Sequence, residues 1–142
     1  MRISCSIAAL VLCGATAFAR IGETETQIEK RYGKSTPSSS STKGYFYKNL
    51  FIIVTFDKGL SGVETYEKRD AASMSTEEIS QLLDANGDGT KWQEPIRNGL
   101  EARYTQKTCF AEYNGIANTL TIADYTALSR INVRNQALDA HK

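Results

Sequence analysis

The sequence predicts an α+β domain, one antiparallel sheet with short helices packed on one face and a possible duplication of a helix-plus-strands unit. Three observations carry that prediction. Residues 45–68, YFYKNLFIIVTFDKGLSGVETYEK, are a nearly unbroken run of β-branched and aromatic residues divided by short polar turns. Two stretches with apolar residues at helical spacing each follow a capping signature, at Thr24 and at Ser75. Turn dipeptides such as Asn98-Gly99 and Asn114-Gly115 punctuate the second half at strand-length intervals.

Residues 1–19 read as a secretory signal: Arg2, an apolar run over residues 7–12, then Ala17-Phe18-Ala19 at the cleavage position. That run is too short to span roughly 30 Å of hydrocarbon, which takes about 20 apolar residues. Leu12 is too bulky to precede a lipidated Cys13, so cleavage after Ala19 is expected rather than lipidation. Cleavage removes Cys5 and Cys13 and leaves Cys109 as the only thiol, so the exported domain, residues 20–142, must fold without an internal disulfide. Its length is ordinary for one domain that does so. The localisation expected is secreted or periplasmic. Seventeen basic residues balance sixteen acidic ones and are scattered singly among them, a pattern that fits neither a nucleic-acid face nor a polybasic membrane patch.

Along the chain, residues 21–33 read as a short helix. Thr24 caps it with Gln27 three residues on, Ile28 and Tyr32 share a face, and Gly33 stops it. Glu23 and Glu25 lead while Lys30 and Arg31 follow, the order that complements the helix dipole. Residues 35–43, STPSSSSTK, have no anchor for a core and are expected to form a mobile loop. A three-stranded meander follows over residues 44–47, 50–56 and 60–68, its middle strand apolar on both pleat faces. Both faces of that strand therefore need cover.

Ser75 opens a second helix with Ile79, Leu82 and Leu83 at helical spacing, ending at Asn86-Gly87. Strands are expected over residues 100–105, 108–113 and 116–122, and a closing helix from Asp124 on the spacing of Tyr125, Leu128 and Ile131. Each half thus runs from a capped helix through a loop to strands.

Four features bear on chemistry. Asp84-Ala85-Asn86-Gly87-Asp88-Gly89 matches the opening of a calcium loop, with Asp84, Asn86 and Asp88 as candidate ligands, but Pro95 stands where the bidentate glutamate belongs. The alternative is a helix C-terminus followed by a polar turn. Tyr45, Tyr47, Tyr66 and Tyr104 lie on strands, either as core residues or, on a sheet with one open face, as a binding surface. Glu64 and Glu112 would make an acid/base pair if the sheet brought them together. The exported chain has one histidine, His141, near its end, so histidine triads and histidine metal clusters lack a member.

The segments IGETETQIEKRYGKS, YFYKNLFIIVTFDKG, MSTEEISQLLDANGDGTKW and RNGLEARYTQ together resemble a group of uncharacterised small secreted bacterial α/β domain proteins that stand as single domains behind signal peptides. The motifs are structural, and no catalytic motif comes with them. The layout is also similar, at the level of fold, to the outer-membrane assembly lipoprotein family and to β-lactamase inhibitor proteins, both of which bind other proteins. The signal sequence, the missing catalytic sets and the aromatic strands together lead to the expectation of a non-enzymatic domain without a cofactor that binds a protein or cell-envelope partner through an open sheet face. The alternative is a weak extracellular calcium-binding module on Asp84, Asn86 and Asp88.

Overall fold

The computed structural model of the chain describes residues 20–37 and 39–139. The expected signal segment, Cys13 and His141 lie outside them. The order is α1 (Glu25–Tyr32), β1 (Thr36–Pro37), β2 (Thr42–Tyr47), β3 (Leu50–Asp57), β4 (Leu60–Lys68), α2 (Thr76–Asn86), β5 (Ile96–Asn98), β6 (Glu101–Thr105), β7 (Cys109–Asn114), β8 (Thr119–Asp124) and α3 (Tyr125–Asp139). All eight strands form one antiparallel sheet in the order β1-β2-β3-β4-β8-β7-β6-β5. Helix plus four-stranded meander therefore occurs twice, and the two meanders join where β4 pairs with β8.

Both predicted capping boxes form. Thr24 N–H donates to Gln27 Oε1 at 2.9 Å while Gln27 N–H donates to Thr24 Oγ1, and Ser75 and Glu78 make the same reciprocal pair at 2.7 and 3.1 Å. Gly33 ends α1 at φ 88°, where its N–H reaches Glu29 O.

The Ser-rich segment, expected as a loop over residues 35–43, is instead largely a hairpin. Thr36 and Pro37 pair with Gly44 and Lys43, and β2 begins at Thr42. Hydroxyls do the bonding there: Ser39 Oγ accepts from the N–H groups of Ser41 and Thr42, and Thr36 Oγ1 donates to Gly44 O. The β7–β8 connection is longer than expected, because Asn114 Oδ1 accepts from Ile116 and Ala117 N–H and keeps residues 116–118 in a turn. Leu100, expected in a strand, belongs to the β5–β6 turn beside Gly99.

The register between β3 and β4 changes once, between Thr55 and Phe56: Thr55 pairs with Val63 but Phe56 with Ser61, which leaves Gly62 as the extra residue of a β-bulge. The bulge sets which side chains of β4 face the core. With it, Glu64 opposes Val54 and Tyr66 opposes Ile52; a plain hairpin off the Lys58-Gly59 turn would have brought Val63 and Thr65 to those places.

One sheet face carries Tyr45, Ile52, Val54, Glu64, Tyr66, Leu120, Ile122, Ala111, Ala102 and Tyr104, all buried. Against it α1 sets Ile28 and Tyr32, and α2 sets Ile79, Leu82 and Leu83. Among the described residues the opposite face is covered at one end, where α3 crosses β8, β4 and β3. Gly62 makes room for that crossing, since a Cβ on it would lie 2.6 Å from Ala127 Cβ. Arg130 Nε donates to Asp57 Oδ2 at 2.6 Å and anchors the helix to the β3 end.

Candidate functional site

Tyr45 and Tyr66 are fully buried and Tyr104 is 8 % exposed, all on the helix-covered face. A binding surface made of Tyr45, Tyr47, Tyr66 and Tyr104 is thus not presented to solvent. The reason is register: each of these tyrosines is in phase with the core residues of its strand, and α1 and α2 lie over that phase. Tyr47 alone is half-buried, lining a cleft of about 240 Å³ with Leu50, Met74 and Leu82. Burial pushes the Tyr45 phenol up to about 12 and raises that of Tyr66 as well.

The uncovered surface is the other side of the same strands. Beyond α3, one row across it runs Ile53, Thr65, Thr121, Glu112, Arg103, and the next runs Phe46, Phe51, Glu67, Thr119, Asn114, Glu101. Every one of these residues is half-buried or exposed. Thr65 and Thr121 share a hydroxyl hydrogen bond at 3.0 Å, and Arg103 pairs with Glu112 at 2.9 Å. At the β2–β3 corner the Phe46 and Phe51 rings lie 4.9 Å apart, with the Arg69 guanidinium 5.2 Å from the Phe46 centroid. Phe46 is 52 % exposed, and Leu100 and Ile116 protrude from neighbouring turns at the same end of the sheet. This is a broad surface of short hydroxylated and apolar side chains with charges toward one edge.

Glu64 and Glu112 fall on opposite faces, Glu64 opposite Ile122 and Glu112 opposite Thr121, so the sheet does not bring this acid pair together. Glu64 is instead part of a closed polar chain under α2. The Tyr66 hydroxyl donates to Glu64 Oε2 and accepts from Asn86 Nδ2 at 3.0 Å, while Asn86 Nδ2 also donates to Leu82 O at 2.9 Å. Glu64 Oε1 and Asn86 Oδ1 have no hydrogen-bond partner. Burial pushes the Glu64 carboxyl up to about 7, with the Tyr66 and Ser61 hydroxyls pulling the other way. Sequence reasoning missed this chain; its one signal is that Glu64 and Tyr66 are two residues apart and so share a face.

The calcium-loop residues are used separately. Asp84 is exposed on α2, Asn86 is buried against Tyr66, and Asp88 closes a turn. The Asp88 carboxylate accepts from Thr90 Oγ1 and N–H and from Thr108 N–H and Oγ1, and these bonds, the Thr90 hydroxyl's foremost, pull it down to about 2. The three do not converge, and among the described residues no group of three or more His, Cys, Asp and Glu side chains is placed to hold a metal ion. The segment is the C-terminus of α2 followed by a polar turn, but Asn86-Gly87 is not the left-handed stop such a pair suggests: Gly87 leaves the helix in extended geometry at φ −73°.

Cys109 is buried in β7 as a free thiol, and burial raises its pKa, away from nucleophilic character. Asn86, Ser61 and Cys109 also border a cavity of about 340 Å³ at the end of the sheet, with Asp57 and Arg130 already paired at its edge. Among the described residues no helix is long and apolar enough to cross a membrane. No family model, curated protein or solved structure matches the chain.

Proposed function

We propose that the chain is a secreted or periplasmic, non-catalytic domain that docks a protein or cell-envelope partner on the uncovered face of its sheet. One observation carries this reading: α1 and α2 both pack on one face, and α3 leaves Phe46, Phe51, Ile53, Thr65 and Thr121 of the other face in contact with solvent. A sheet whose strands are complete yet uncovered on one side offers a rigid platform, with its side chains already ordered by cross-strand pairing, so docking costs little conformational entropy. Exposed apolar residues flanked by charge are the usual composition of such surfaces. The proposed surface is the phenylalanine and threonine side of the sheet, not the tyrosine side.

The test is a pair of captures from a periplasmic extract. The Thr65→Arg and Ile53→Arg chains should keep the circular dichroism of the unmodified domain and lose the bound partner, while Asp84→Arg on the covered side keeps it. Equal capture by all the chains would refute docking on this face.

A further inference from the structure

Glu64 sits where the sheet meets α1 and α2, and each side meets it differently. From β4 come Tyr66 and Ser61, and the cross-strand neighbours on β3 and β8 are Val54 and Ile122. From the α1 side come the Tyr32 phenol, which bears on Tyr66, and the Arg31 guanidinium, already held by Glu23 at 2.8 Å. From α2 comes only a neutral amide, Asn86, in the last turn. Among the described residues no cation is bonded to the carboxyl, and Glu64 Oε1 has no hydrogen-bond partner. Fully buried, and with the nearest guanidinium, Arg31, already held by Glu23, the carboxylate form is disfavoured there relative to the neutral acid.

Leu83 and Ala85 pack the last turn of α2 against the core, and its polar ties are few. Gly87 leaves the helix in extended geometry, and the turn has no basic residue to answer the helix dipole. The segment after it is tied back by Trp92 Nε1, which donates to Leu83 O at 2.9 Å, and by the Gln106 side chain, which meets Asp88 N–H and Thr90 O. Among the described residues Asn86 bonds to the sheet through the Tyr66 hydroxyl, which is bonded in turn to Glu64.

We propose that neutral Glu64 pins the last turn of α2 to the sheet, and that losing its proton to water releases that turn, so the segment carrying Trp92 opens more readily as the medium goes from acid to neutral. The chain Asn86–Tyr66–Glu64 is the pin, and hydration of the carboxylate is what draws it apart. The inference stands apart from the docking surface, which lies on the other side of the sheet.

Amide exchange followed by NMR on the full chain reads the opening directly. Protection of Leu82 to Asn86, corrected for the intrinsic pH dependence of exchange, should fall about tenfold per pH unit between pH 5 and 7 and level off above, because the open form binds one proton fewer across that window. In Glu64→Gln the same amides should show no such slope. If protection of this turn is independent of pH while that of Val54 and Tyr66 varies, Glu64 stays buried when the turn opens and there is no pin. A slope that survives in Glu64→Gln assigns it to another group and likewise overturns the proposal. Should Glu64→Gln fail to fold, the unmodified chain decides: the carbon shift of the Glu64 carboxyl and the emission of Trp92, the sole tryptophan, must titrate with one midpoint, and separate midpoints refute the coupling.

Discussion

Glu64 is the residue at which chain geometry and chemistry disagree most. A carboxyl with no exposed surface, bonded by the Tyr66 hydroxyl, stays in place because the Gly62 bulge turns it inward together with Tyr66. Its pKa lies above that of the unfolded chain, so the folded protein holds a proton that the unfolded protein has lost. The stability this contributes is full below the ordinary glutamate range and lost as the pH rises to about 7. Chemical denaturation should therefore show the domain weaker at pH 8 than at pH 4 by on the order of 3 kcal/mol from this group, a difference that Glu64→Gln removes. Denaturation curves of the Gln variant with the same pH slope would contradict the assignment. None of this was legible beforehand, because the parity of β4 depends on a one-residue bulge: Val63 and Thr65 have as good a claim to the core in the sequence as Glu64 and Tyr66.

Elements were legible where their signals are local. The capping boxes at Thr24 and Ser75 need only side chains three residues apart, and both helices begin where the sequence places them. Ser75→Ala should cost about 1 kcal/mol in thermal or urea unfolding, and a change indistinguishable from zero would mean that the cap is idle. The Ser-rich segment was misread for a related reason. Its bonds are made by hydroxyls to the next strand, and composition alone makes such residues look unanchored. Helix α3 depends on a distant contact, the seat provided by Gly62 under Ala127 and Ile131. Gly62→Ala forces that helix outward and should destabilise the domain by about 1–3 kcal/mol, with the loss concentrated in α3 amides by hydrogen exchange. A variant with native stability would show that α3 rests elsewhere.

For the whole molecule, the two helix-plus-meander halves meet along β4 and β8 and build one sheet, with α1 and α2 on one side and α3 across an end of the other. The fold class follows from local patterns, but the choice of covered face does not. The middle strand β3 is apolar on both faces, with Phe51 and Ile53 on one and Ile52 and Val54 on the other, so the sequence shows that cover is needed without showing which face receives it. That ambiguity leaves the tyrosines open to two readings, core or binding surface, until the register of β4 is known. Because Thr65 and Ile53 are solvent-facing, arginine at either position should change stability by no more than about 1 kcal/mol while abolishing partner capture.

The central claim is that the uncovered sheet face meets another molecule, and site-specific photocrosslinking in the intact exporting cell tests it most directly. A benzophenone amino acid in place of Thr65 or Thr121 should yield a discrete crosslinked species, and the same group in place of Asp84, on the outer side of α2, should yield none. Crosslinks from position 84 with none from 65 or 121 would place the contact on the opposite side of the molecule and contradict the account.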